Sequence, residues 1–187
     1  MFSMLPMFQK MEQEILDLMK DETAWRSLYV DYHPPIVERI WRQWGEYRVY
    51  LHRIHPCIPG EALFHRHAWP QAVRVISGTY EMGVGVLPFQ TSSTPLLVIS
   101  LMGPGSYYEM NHPSGGHYVQ PIGQPSCSVM LTGPPWKKIE APKSTKPLHE
   151  LSPAMFRKNF DFFREYYWHH LNDDANAAAE DYFRIAD

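Results

Sequence analysis

Cysteine is nearly absent from the chain: Cys57 and Cys127 are the two in 187 residues, and they form no Cys-x-x-Cys spacing. Two thiols so placed exclude a disulfide framework and a cysteine-built zinc cluster, and they suit a reducing compartment. No apolar run approaches the roughly 20 residues of a membrane-spanning helix. The first ten residues lack a basic segment followed by an apolar core, so a cytoplasmic location without a membrane partner is expected. Basic clusters are missing too. The 17 Lys and Arg residues are scattered among 20 Asp and Glu, for a net charge of -3, which leaves no electrostatic footprint for nucleic acid. There is no internal repeat, no low-complexity tract and no helix-turn-helix pattern. What remains is 44% hydrophobic, ample for the core of one compact domain.

The apolar residues Phe8, Met11, Ile15 and Leu18 recur at helical spacing between charged neighbours, which predicts an amphipathic helix lying on something larger. A second helix is expected around Pro35–Arg42, with prolines in its first turn and Gly45 beyond its end. After Gly45 the texture changes to short β-branched and aromatic runs: Tyr47–Ile54, Ala72–Ile76, Thr79–Val86, Leu96–Leu101 and Cys127–Thr132. Turn signals such as Pro59-Gly60, Ser77-Gly78 and Gly103-Pro-Gly105 separate them, as in a sandwich or barrel and unlike βαβ units. The proline- and lysine-rich segment from Pro134 to Pro147 reads as an irregular crossing. Ser152 and Pro153 then open a helix with Phe156, Phe160, Phe163, Tyr167 and Leu171 on one face. From Asn172 the rhythm breaks, so a short separate helix or a frayed tail is expected there. The expected organisation is a helical segment over 1–44, a β-barrel over 45–136 and a crossing segment with helix over 137–187, all in one domain.

The residues that carry chemistry lie in Pro59-Gly-Glu-Ala-Leu-Phe-His65-Arg-His67-Ala-Trp-Pro-Gln71. Side chains at i and i+2 of a strand leave on the same face, so His65 and His67 point together and can grip one ion. A third ligand from another strand would complete a facial set with open positions.

The segment resembles the first motif of the cupin family, with Gly60 ahead of the two histidines and Gly78 closing it, and with Gln71 where the family carries an acid. The stretch Gly105 to Pro121 resembles the second motif through Pro113, Gly115 and His117. This resemblance spans residues 45 to 133. It implies a mainly β fold, a jelly-roll barrel with the terminal helices packed outside. It also implies His117 as the third metal ligand, with His112 in the same loop as the competitor.

A three-histidine site of this kind is similar to that of the thiol dioxygenases, and Val129–Trp136 looks like their strand and Pro-Pro-aromatic exit. Ala72 stands where cysteine dioxygenase would carry its crosslinked cysteine, so that feature is not shared. The resemblance implies a non-haem metal enzyme, with Fe(II) first and Mn, Ni or Zn as the other ions, and a small anionic molecule as substrate. The alternatives are an isomerase or lyase using the ion as a Lewis acid, and a binding module without turnover.

Further candidates are the arginines Arg39, Arg53 and Arg74, any of which could clamp a carboxylate. Arg53 shares a strand face with Val49 and Leu51, which favours an inward position, while the neighbouring Tyr50 and Ile54 make the alternation ambiguous. Trp69, Tyr107, Tyr108 and Tyr118 lie near the ligands in sequence and could line the pocket or donate a hydrogen bond, with Tyr118 beside His117. Gln71, as a neutral amide, is expected to stand off the ion and bond a water or substrate. Glu81 and Glu109 are the nearby carboxylates. His169 and His170 are expected to complement the dipole at a helix end. A homodimer is expected from the aromatic stripe of the last helix.

Overall fold

The computed structural model describes residues 3–86, 96–136 and 146–185. Helix α1 spans Leu5–Leu18. Strands β1 (Arg26–Val30), β2 (Val37–Trp44) and β3 (Tyr47–Ile54) follow as an antiparallel meander. Then come β4 (His65–Arg66), β5 (Gln71–Ser77), β6 (Tyr80–Val86), β7 (Leu96–Met102), β8 (Tyr107–Met110), β9 (Gly115–Pro121), β10 (Ser126–Thr132) and α2 (Pro153–Ile185).

From β3 onward the pairing is nested: β3 with β10, β4 with β9, β5 with β8 and β6 with β7. Two further pairs, β10 with β5 and β6 with β9, join these into two antiparallel sheets. Their orders are β1-β2-β3-β10-β5-β8 and β4-β9-β6-β7. A long hairpin rolled over on itself produces this nesting, which is the jelly roll that the cupin resemblance implies. The sheets face each other through a shared apolar cluster, with Ile54 and Val75 from one and Tyr80, Met82 and Val119 from the other.

The larger sheet is covered on both sides. On its outer face Ile40, Val49, Leu51, Ala72, Val129 and Leu131 pack with residues of α1 and α2. Phe8, Met11 and Ile15 of α1 are fully buried there, as their spacing predicts, and so are Phe160, Phe163 and Tyr167 of α2. Glu12 of α1 ties the layers together: it pairs with Arg74 of β5 at 2.9 Å and accepts a bond from the Tyr167 hydroxyl at 3.0 Å. Burial raises the Glu12 carboxyl above its usual range, against the opposing pull of Arg74. Arg74 is thereby committed to the helix-covered face.

The helix expected over Pro35–Arg42 is strand β2, so residues 26–44 extend the barrel sheet. The physical reason is the double coverage. Ile40 faces the helices while Val37, Arg39 and Trp41 face the other way, so apolar residues occupy both strand faces and imitate a helical spacing. Gly45 ends no helix. It sits at φ 58° in the two-residue turn that returns β2 into β3, a conformation that other L-residues adopt at a cost.

Helix α2 starts where expected, with the Ser152 hydroxyl accepting from the Met155 amide at 3.3 Å. It then continues unbroken to Ile185 instead of stopping near Leu171, because Ala175 and the run Ala177 to Ala179 sustain a helix without an apolar stripe. His169 and His170 therefore lie within the helix and not at its end. Residues 137–145 of the expected crossing lie outside the described residues. No helix among the described residues is long and apolar enough to cross a membrane.

Phe160 is fully buried between Trp25 and Phe156, with ring centroids at 5.7 and 5.5 Å. Phe160→Ala is expected to lower unfolding free energy by about 3–5 kcal/mol, read as a fall in the urea midpoint at unchanged slope. The same loss at Tyr166, which is only half-buried, is expected to be much smaller.

Candidate metal centre and its pocket

The register of β4 against β9 sets His65 directly opposite His117. His67 follows β4 by one residue and turns to the same place, with its Nε2 3.0 Å from Nε2 of His117. One ligand nitrogen from each of the three lies within 4.8 Å of the other two. The Nδ1 of His65 donates to the Leu63 carbonyl at 3.0 Å, which leaves its Nε2 as a lone-pair donor.

Burial, and then the nearness of the other cations, pushes all three imidazoles below their usual value, His67 and His117 strongly so. They are neutral at pH 7 and hold their lone pairs ready. Nδ1 of His117 is buried without a hydrogen-bond partner. Three neutral, converging nitrogen donors fit a divalent ion of the imidazole-favouring kind.

The triad lies in the wall of a cavity of about 200 Å³ between the two sheets. Much of the lining is apolar: Val30, Val37, Ile54, Val73, Val119 and Met130. Among the described lining residues there is no Asp, Glu or Lys, whereas Arg39 and Arg66 both contribute. Arg39 donates from Nε to Nε2 of His52 at 3.0 Å and lies 5.3 Å from the centre of the Tyr50 ring. No carboxylate pairs with it among the described residues. Burial draws its guanidinium down from the usual value, yet an arginine stays charged near neutrality.

Two more polar atoms of the wall, Trp69 Nε1 and Gln71 Oε1, are buried without a partner. A buried polar group left unbonded costs on the order of 1–3 kcal/mol, so these atoms are suited to receive a polar guest. Gln71 is 0% exposed, and its amide nitrogen reaches the Met110 sulfur at 3.4 Å. The Tyr80 hydroxyl donates to that of Tyr108 at 3.3 Å, and both line the cavity. Burial holds Tyr108 protonated, its pKa pushed up to about 12.

His65, His67, His117, Gln71, Arg39, Trp69 and Tyr108 are thus brought together. Of the two competing histidines, His112 is exposed and turned back on its own loop, where its Nδ1 accepts from the Ser114 amide at 3.1 Å. Arg53 is not in the cavity. It shares the helix-covered face with Val49 and Leu51 and stands in register with Glu38 and Cys127. Val49 and Leu51 are apolar because the helices cover that face, so sharing a face with them does not place Arg53 inward. Tyr118, next to His117 in β9, points to the opposite face, where its hydroxyl donates to Glu81 at 2.6 Å. That bond pushes its pKa up to about 12. Gly83 opposite leaves the space that the Tyr118 ring fills, and a Cβ there would collide with it. Tyr107 bonds Glu109 at 2.6 Å beside α1, also away from the cavity.

His52 is the residue that the sequence analysis passed over. It is 7% exposed and stands directly opposite Arg39 in the β2–β3 register. Its position two residues from Tyr50 and Ile54 placed it on the cavity face, but only knowledge of which face was which could have singled it out.

No protein-family model and no curated protein matches the sequence. Among solved structures, the chain is similar to a hydroxypropylphosphonic acid epoxidase from S. wedmorenis, at 14% identity over 57% of this chain and 55% of that one, with a TM-score of 0.44. It therefore spans about half the length of that enzyme. It is also similar to KdgF from Halomonas sp., at 14% identity over 58% of this chain and 88% of that one, with a TM-score of 0.41. The fold assignment rests on the strand nesting.

His65→Ala, His67→Ala and His117→Ala are each expected to lower metal affinity by more than the roughly 10–100-fold that an outer-shell change costs, while His112→Ala leaves it as in wild type. Elemental analysis of untagged protein, with circular dichroism to verify folding, checks both halves. Gln71→Glu is expected to tighten metal binding by placing a carboxylate in the same wall.

Proposed function

We propose that this chain is a metal-dependent enzyme of cupin type, a non-haem Fe(II) dioxygenase acting on a small anionic molecule. The observation that carries this reading is the convergence of His65, His67 and His117 in a cavity where the Arg39 guanidinium has no carboxylate partner among the described residues. Fe(II), when bound, would supply the redox chemistry by which O2 reacts with the substrate. His65, His67 and His117 would hold it, and their neutrality leaves the site's positive charge for an anion to answer.

The chain's other residues bind, orient and exclude. Arg39 takes the anionic group of the substrate through its terminal nitrogens. Tyr108, whose own oxygen accepts from Tyr80, keeps its proton free to donate into the cavity. Gln71 Oε1 accepts from a donor on the substrate or on a held water, and Trp69 Nε1 donates to an acceptor. The apolar wall keeps bulk water out, which strengthens each of these contacts.

The test is oxygen uptake by Fe(II)-reconstituted protein presented with a panel of small carboxylates and thiolates. Consumption that depends on the substrate and matches product formation mole for mole is expected. Arg39→Gln should raise KM at least about tenfold for the anion that serves. Product without oxygen consumption would overturn the dioxygenase reading in favour of Lewis-acid chemistry, and a protein that holds no metal would overturn the enzyme reading altogether.

A further inference from the structure

We infer that His52 is the positioning residue for the anion anchor: it fixes the Arg39 guanidinium by accepting its Nε–H, and it does so without neutralising it. This rests on the reading of Arg39 as the group that takes the substrate's anion. Arg39 and His52 are cross-strand partners in β2 and β3, and the bond between them is 3.0 Å long. An arginine Nε–H can only donate, so Nε2 of His52 must be the accepting lone pair. The imidazole is therefore neutral and carries its proton on Nδ1. Tyr50, two residues before it on the same face, stacks with the His52 ring at 5.7 Å between centroids and lies under the Arg39 guanidinium at 5.3 Å. The anchor is thus held by one neutral acceptor and one aromatic face.

The choice of partner has a chemical consequence. A carboxylate at position 52 would satisfy the same Nε–H and would also cancel the charge, as Glu12 does for Arg74 on the other face of the sheet. Histidine satisfies the donor and leaves the full positive charge without a carboxylate among the described residues, inside an apolar cavity where an incoming anion can balance it. With Nε committed, the bidentate edge open to a ligand is the one formed by the two terminal nitrogens. The fitting ligand is a compact monoanion such as a carboxylate. A cavity of about 200 Å³ gives it a body of roughly seven to ten non-hydrogen atoms. The absence of Asp and Glu from the described lining disfavours a body that carries an ammonium.

Benzoate, with benzamide as its neutral counterpart, is the probe. Titration calorimetry is performed on wild type and on His52→Leu, His52→Gln, His52→Glu and Arg39→Gln, with metal content and melting temperature recorded for each preparation. Wild type is expected to bind benzoate and not benzamide, and Arg39→Gln to lose roughly 100-fold in benzoate affinity. His52→Leu should lose about tenfold, since the Nε–H is left without an acceptor and the fork without a fixed direction. His52→Gln, whose amide oxygen is again a neutral acceptor, should recover to within about threefold of wild type. His52→Glu should fall as far as Arg39→Gln. If His52→Leu binds benzoate as wild type does, or if His52→Gln is as weak as His52→Leu, the positioning role is wrong while the Arg39 anchor stands. If wild type binds benzoate no better than Arg39→Gln does, the anchor itself is wrong, and the positioning role falls with it. Nitrogen NMR of His52 in wild type supplies a reading independent of any variant: Nδ1 protonated and Nε2 bare is expected, and the opposite tautomer overturns the proposal.

Discussion

Inside the cavity, the buried Arg39 guanidinium meets no carboxylate among the described residues. The three imidazoles of the triad converge there beside Arg39, in a space whose described lining offers no Asp or Glu, and burying such groups unpaired is expensive. The chain meets that cost in two ways. The imidazoles are kept neutral by desolvation and by one another. The guanidinium cannot shed its proton, so it is braced by a neutral histidine and a tyrosine ring. Both devices leave the cavity complementary to a cation on the nitrogens and to an anion beside it. That pairing of needs is the physical root of the functional reading.

The fold makes this arrangement possible by covering the larger sheet twice. Helices α1 and α2 seal its outer face, so the strands can be apolar on both sides and the inner face is free to carry a site. Charge on the outer face is balanced locally, as with Glu12 and Arg74, and the buried Glu38 has hydrogen-bond partners in His55 at 2.7 Å and in Asn159. On the inner face, Arg39 has no carboxylate partner among the described residues. The nested pairing of the jelly roll then brings β4 against β9 and so sets His65 opposite His117 across a sequence gap that no local pattern spans.

Much of this was legible in the sequence. The spacing of Phe8, Met11 and Ile15 marked α1, the short β-branched and aromatic runs after Gly45 marked five of the strands, and the His-x-His motif with Pro113, Gly115 and His117 pointed to the triad. Most of what was not legible traces to the double coverage of the larger sheet. Where both faces of a strand are buried, alternation no longer says which side is the pocket. Ile40 and its neighbours therefore read as a helix, Arg53 was favoured over Arg39, and His52 was passed over. Tyr118 failed for a simpler reason: neighbours in a strand face opposite ways, so adjacency to His117 placed it outside. The extent of α2 beyond Leu171 was missed because alanine sustains a helix without a stripe.

The measurement closest to the centre of this account is X-ray absorption at the zinc edge on protein loaded with zinc as a probe ion. The account predicts a first shell of nitrogen or oxygen near about 2.0–2.1 Å, with the outer scattering of three imidazoles and no sulfur. A sulfur shell, scattering from fewer than two imidazoles, or a protein that retains no zinc would contradict it.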